Sequence, residues 1–376
     1  MGICVKPTPP LSAAALPQSS LPGRGRRAGE GKAIDNFSDI NAVMDPRTIA
    51  EMQQIIVAIL SPLLRPLFAF NHHSSVLFWP FLVSALALAL VVFAVARRPS
   101  ARTFLREFRE TYFSRSVWGH RSSIADYKYY FANAVLFPII FAPAIISGGW
   151  IGRQLRDVLI NEFGAIERWT GDVAPTLVFT LVFFVLHDLG RWIAHYIQHR
   201  FDVLWEFHKI HHSAQVLTPF TNFRAHPVDL ICMATVPATL TGIASGIYSY
   251  TIGWDVAYFT YYGLHVLIFV YNLIGNLRHT HVWLSYGPLL SHVFISPAQH
   301  QIHHSTEPRH FGHNVGFALA IWDWMFGTLY VPKEKETFEM GLGDGTESAF
   351  HSVTGMYFRP FVNLFRGRHT ISGFNE

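Results

Sequence analysis

Three groups of histidines carry the spacing of metal ligands: His195 and His199 in HYIQH, His208, His211 and His212 in HKIHH, and His300, His303 and His304 in HQIHH. On an α-helix, side chains three and four positions apart share a face, so each HxxHH trio predicts imidazoles converging on one point. A single histidine near a membrane edge is ordinary interfacial polarity, but the chain holds 21 of them, with two such trios beside apolar segments. Too many ligands are present for one ion, so a polynuclear site is expected. His279, in NLRHTHVW, is the candidate that completes the set. His281 can face the same pocket only where the helix is broken. His226, in FRAHPVD, precedes a proline that disfavours helix at its own position. A supporting role or a helix start is at least as good a reading of it as ligation.

The two cysteines, Cys4 and Cys232, lie far apart with no CxxC, which argues against a disulfide framework and a thiolate metal site. Imidazole suits iron, zinc and copper alike. HExxH is absent, and bis-histidine haem needs one axial ligand from each side rather than adjacent trios. Asp188 lies seven residues before His195, two turns back on nearly the same face. Two roles are open to it: accepting the second ring N–H of a ligating histidine and so fixing its tautomer, or pairing with Arg191 or Arg200 at the membrane edge.

The elements that must position these residues are apolar. Half of the 376 residues are hydrophobic and only 14% are charged, with 32 Phe and 10 Trp, too apolar a balance for an ordinary soluble enzyme. Residues 74–96 form an uncharged run about as long as the ~20 residues a helix needs to cross a bilayer. Similar runs at 129–149, 173–193, 228–249 and 255–277 predict four to five spanning helices in an all-α membrane bundle. Pro62, Arg65 and Pro66 interrupt 52–70, which favours an interfacial or re-entrant helix there. Residues 1–47, rich in Pro, Gly, Ser and Arg, read as a disordered tail. N-terminal membrane helices and a basic loop follow at 48–128, a histidine-bearing membrane domain at 129–332, and a C-terminal tail at 333–376.

Arg97, Arg98, Arg102, Arg106, Arg109, Arg115, Arg121 and Lys128 face only Glu107, Glu110 and Asp126 in the loop after the first run. The positive-inside rule makes that loop cytoplasmic. Tracing the runs from there puts all three histidine groups on the cytoplasmic face, as a helical cap. The net charge of +4 is accounted for by such loops, and no nucleic-acid partner is expected.

HxxxH followed by two HxxHH motifs around apolar hairpins resembles the fatty acid hydroxylase and sterol desaturase superfamily of integral-membrane di-iron enzymes. WEFHKIHHSAQ, NFRAHPVD, HTHVWLSYGP, SPAQHQIHHS and residues 314–332 look like successive blocks of that family, covering about 130–332. The resemblance implies that His195, His199, His208, His211, His212, His279, His300, His303 and His304 bind two iron ions, with zinc as a possible substitute. It implies O₂-dependent hydroxylation or desaturation of a lipid drawn from the bilayer. His313 stands where relatives often carry an acidic residue, either as an extra ligand or as a neutral change. The sequence has no dinucleotide fingerprint, cytochrome b5-like domain or CxxC iron–sulfur pattern, so a separate electron donor is expected. The rival class, a membrane zinc or iron binding protein or transporter without redox chemistry, calls for ionisable groups in mid-span. Such groups are scarce here.

Overall fold

The computed structural model describes residues 63–167, 173–253 and 256–367, with single positions at 51, 52, 54 and 61. Two units divide the chain, Met1–Ile55 and Ile56–Glu376; the second is described below. The expected tail at 1–47 lies outside the described residues, as does much of 52–70. The described part of that stretch ends in a 3₁₀ turn, Arg65–Asn71, tied to the bundle where Tyr130 donates to the Pro66 carbonyl.

Helices dominate. The α-helices longer than four residues are, in chain order, α1 (Trp79–Arg97), α2 (Phe104–Tyr112), α3 (Arg121–Leu136), α4 (Gly148–Phe163), α5 (Val173–Arg200), α6 (Asp202–His212), α7 (Pro227–Ile252), α8 (Val266–Gly275), α9 (Pro297–His303), α10 (Ile321–Phe326) and α11 (Val353–Phe365). Among the described residues four helical segments are long and apolar enough to cross a membrane: α1, Arg121–Phe163, α5 and α7.

The second of these is not the unbroken run expected at 129–149. Pro138 and Pro143 cannot donate to the helical ladder, and the backbone passes through a π-turn at Phe137–Phe141 and a 3₁₀ turn at Ala142–Ala144 before α4 begins. The expected span at 255–277 is corrected too. Thr260–Tyr261 pairs with Leu264–His265 in a short antiparallel hairpin, and α8 is only ten residues long. Tyr262 and Gly263 both have positive φ, 51° and 74°, the backbone that a two-residue hairpin turn requires. A ten-residue helix is about 15 Å long, too short to cross a hydrocarbon core of about 30 Å.

α7 is the central mast. Gly148 and Gly152 on α4 meet Gly242 and Gly246 on α7, where a β-carbon at Gly242 would sit 2.6 Å from the Gly148 carbonyl oxygen. Glycines four apart on both helices let the backbones touch, the small-residue packing that substitutes for hydrophobic drive inside lipid. On another side α5 runs antiparallel to α7, with Tyr248 donating to the Pro175 carbonyl at one end and Gln198 to Asp229 at the other.

The histidine-bearing elements gather at the latter end. α5 has 28 residues, about 42 Å, so its last turns outrun the hydrocarbon core. Phe201 then takes an extended conformation and α6 departs. The segment at 333–367 is no tail. Thr306 N–H donates to the Glu339 carbonyl, and Phe350 and Met356 pack with Tyr129 and Ile210. Arg224, fully buried, ties these parts together: it pairs with Asp126 on α3 at 2.7 Å and donates to the carbonyls of Ile210 and Phe350.

Candidate metal centre

The nine expected histidines form two groups of inward-facing ring nitrogens. His195, His199, His208, His212 and His303 make one, and His211, His279, His300 and His304 the other; within each, the ligand atoms lie within 4.8 Å of one another. All nine are buried. The groups abut, with the ring centres of His212 and His304 4.6 Å apart.

Each HxxHH trio therefore straddles two centres instead of converging on one. The cause is helical phase. Residues four apart differ by about 40° around the axis, and adjacent residues by about 100°. His195 with His199, and His208 with His212, are four apart and share the first group; His300 with His304 shares the second. His211 and His303 are rotated out of their own pairs and join the opposite group.

Outer contacts settle which ring nitrogen faces inward. The Nδ1–H of His195 donates to the Val315 carbonyl at 2.6 Å, that of His303 to the His313 carbonyl at 2.8 Å, and that of His211 to the Arg224 carbonyl at 3.3 Å. His208 Nδ1 lies 3.1 Å from Asp229 Oδ2, whose other oxygen accepts from Gln198 at 2.7 Å. With Nδ1 occupied as a donor, each Nε2 keeps its lone pair for the centre.

Burial, reinforced by neighbouring imidazoles, holds His212, His300 and His304 well below the usual imidazole range; for His279 burial acts with His211 and Arg278. Burial, then His208, brings His211 down to about 4, and burial brings His303 to about 3. Neutral rings are what a metal needs.

The inward nitrogens fit metal ions better than they fit each other. His195 and His303 Nε2 are 3.1 Å apart, His195 and His199 3.3 Å, His279 and His300 3.0 Å, and His211 and His279 3.2 Å. Neighbouring ligands on one ion, with metal–nitrogen bonds of about 2.1 Å, stand about 3.0–3.4 Å apart. The Nε2 atoms of His208, His212 and His304 are buried without any hydrogen-bond partner, a cost that a shared ion would remove.

Asp188 meets no ligand ring, and it attracts Arg191 electrostatically without forming a contact ion pair. It is 1% exposed, and its two oxygens accept from the backbone N–H of Ala318 and of Leu319 and from the Trp322 indole. Seven residues along a helix is about 10 Å, too far for it to reach the His195 ring. It grips instead the loop whose Val315 carbonyl orients that ring. Asp323 braces the same loop by accepting from the N–H groups of Val315 and Gly316. A β-carbon at Gly316 would lie 2.7 Å from the Asp323 carboxylate, so the loop needs glycine there.

The carboxylate that does meet a ligand ring is Asp229, which sequence reasoning missed. Its signal was FRAHPVD. His226 Nδ1 caps α7 by accepting from Val228 N–H, Pro227 occupies the first turn, and Asp229 follows in that turn. His226 is thus a helix start. His281 donates to the Thr111 carbonyl and His313 to the Thr328 carbonyl, so neither joins a group.

A cavity of about 1060 Å³ opens from both groups into the bundle. His195, His208, His211, His279 and His300 line one end, and Phe137, Phe179, Leu230, Met233 and Ala238 are among its apolar walls. The break between α3 and α4 forms part of the wall through Pro138 and Gly148.

The fatty acid hydroxylase family profile matches residues 180–328. Ornithine lipid hydroxylase OlsE of Rhizobium tropici is 31% identical over 190 residues, 50% of this chain and 51% of that protein. Delta(7)-sterol-C5(6)-desaturase of Nicotiana tabacum is 25% identical over 202 residues, 52% of this chain and 62% of the relative. Human (Homo sapiens) alkylglycerol monooxygenase is 25% identical over 194 residues, 48% of this chain and 40% of the relative. The chain thus spans about half the length of these relatives. No solved structure matches it. All nine histidines of the two groups lie within residues 180–328, the part of the chain that matches the fatty acid hydroxylase family.

Proposed function

We propose that the chain is a membrane-bound oxygenase that hydroxylates or desaturates a lipid, with one iron ion in each histidine group. Electrons come from a separate donor protein, and the groups face the cytoplasm. The observation that carries the reading is the junction of two all-imidazole groups with one mainly apolar cavity between apolar helices. The names of the relatives fit, since they act on an ornithine lipid, an alkylglycerol and a sterol. The orientation is supported by the Arg-rich segment, which packs at the histidine end through Phe108 against Leu277 and Val282.

When bound, an iron pair supplies activation of O₂ and removal of hydrogen from an unactivated C–H bond, chemistry that side chains lack. The residues of the chain do the rest. His195, His199, His208, His212 and His303 hold one ion, and His211, His279, His300 and His304 the other. Asp229 and the carbonyls of Val315, Arg224 and His313 keep four of those rings in the ligating tautomer. Phe179, Leu230 and Met233 give a hydrocarbon chain a wall that excludes water.

Wild-type protein and His303→Ala are expressed in the same host, and total lipids are compared by mass spectrometry. A lipid class gaining one oxygen, or losing two hydrogens, with the wild type and not with the variant is the expected result; it also tells hydroxylation from desaturation. Identical lipid profiles from the two would refute the proposal.

A further inference from the structure

Two guanidinium groups stand at the histidine end of the cavity with no carboxylate paired to them. Arg191 lies one turn before His195 on α5, and Arg278 directly precedes His279. Both line the cavity. They share a single aromatic ring, that of Phe317, with guanidinium carbons 3.9 and 4.2 Å from its centre. Arg278 donates one N–H to the Phe317 carbonyl at 3.0 Å. The Nε atoms of both arginines are buried without a hydrogen-bond partner.

The nearby carboxylates are committed elsewhere. Asp188 accepts from Ala318, Leu319 and Trp322, and Asp229 from Gln198 and His208. Asp188 and Asp229 attract Arg191 without an ion-pair contact, and two buried cations that lack a contact partner of opposite charge are costly in a low-dielectric setting. A guanidinium offers five N–H donors in a planar fork matched to carboxylate and phosphate oxygens. Earlier on α5 the wall carries Phe179 and Phe183, and α7 adds Pro237 and Ala238 beside the polar Thr241 and Ser245. A cavity cationic at one end and mainly apolar along the rest is complementary to an anionic amphiphile. Its volume lies just above the roughly 300–1,000 Å³ usual for small-molecule sites.

We propose that Arg191 and Arg278 form a head-group subsite that binds the oxyanion, carboxylate or phosphate, of a lipid whose hydrocarbon chain fills the rest of the cavity. This rests on the reading of the cavity as the lipid site, and it is tested by binding rather than turnover. Full-length protein in a neutral detergent is loaded with a neutral pyrene-labelled fatty alcohol, which is then displaced by oleate, oleoyl lysophosphatidate or oleyl alcohol. The expected result is displacement by one or both anions at concentrations about 10–100-fold below that of the alcohol, the range set by hydrogen bonds to charged groups. Oleate as the stronger competitor assigns a carboxylate, and lysophosphatidate a phosphate. Arg191→Gln and Arg278→Gln should each erase most of that preference, and Arg191→Lys should retain part of it.

Equal displacement by the alcohol and both anions in the wild type overturns the subsite while leaving the cavity reading intact. Failure of any amphiphile to displace the probe overturns both. An anion preference unchanged in both Gln variants also overturns the assignment. If the variants do not elute as folded protein, the wild-type comparison of anion with alcohol decides.

Discussion

Asp229 and the imidazole it faces give the sharpest test at the level of one side chain. A carboxylate on Nδ1 raises ligand basicity and fixes the ring, and its loss typically costs about 10–100-fold in metal affinity or activity. Asp229→Asn should therefore weaken metal retention by about that factor in chelator competition; unchanged retention would remove Asp229 from the support of His208. The nine histidines were legible because ligand spacing is a local property of helices. Their outer partners were not. Three are backbone carbonyls, of Val315, Arg224 and His313, and any residue can supply a carbonyl. Asp229 was written in FRAHPVD, but it is opposite His208 only because α7 begins beside α6. Asp188 shared the correct helical face and lay two turns away, so its face was readable while its partner, a loop 130 residues on, was not.

Loops and helices, rather than single ligands, carry the role of Asp188. Its carboxylate satisfies three donors from the 318–322 segment. Asparagine in its place turns an amide NH₂ toward at least one of them, and a buried donor left unsatisfied costs about 1–3 kcal/mol. Asp188→Asn is expected to lower the thermal unfolding midpoint in detergent while metal content at low temperature stays near that of the wild type. The converse, lost metal with an unchanged midpoint, would return Asp188 to direct contact with the centre. The runs of apolar residues foretold α1, α5 and α7 closely, since length and composition decide whether a helix can cross. They misled at 255–277, where apolar content alone did not distinguish a span from a hairpin followed by a ten-residue helix. Aromatic and β-branched residues serve both, and the turn at Tyr262 and Gly263 decides between them.

At the scale of the molecule, four apolar helical segments among the described residues carry a cap in which every ligand pair four residues apart serves one group, while His211 and His303 cross to the other. That exchange makes the two groups interdependent: each HxxHH motif contributes to both. The resemblance to the hydroxylase and desaturase superfamily carried the identity of the set from sequence, whereas the five-and-four division required the tertiary arrangement of α5, α6, α9 and the segment at His279. Metal content of the purified, full-length protein, measured by inductively coupled plasma mass spectrometry beside His208→Ala and His300→Ala, tests the account most directly. It predicts close to two transition-metal ions per chain, mainly iron, with a marked loss in each variant while both remain membrane-inserted. Fewer than one ion per wild-type chain, or undiminished metal in both variants, would contradict it.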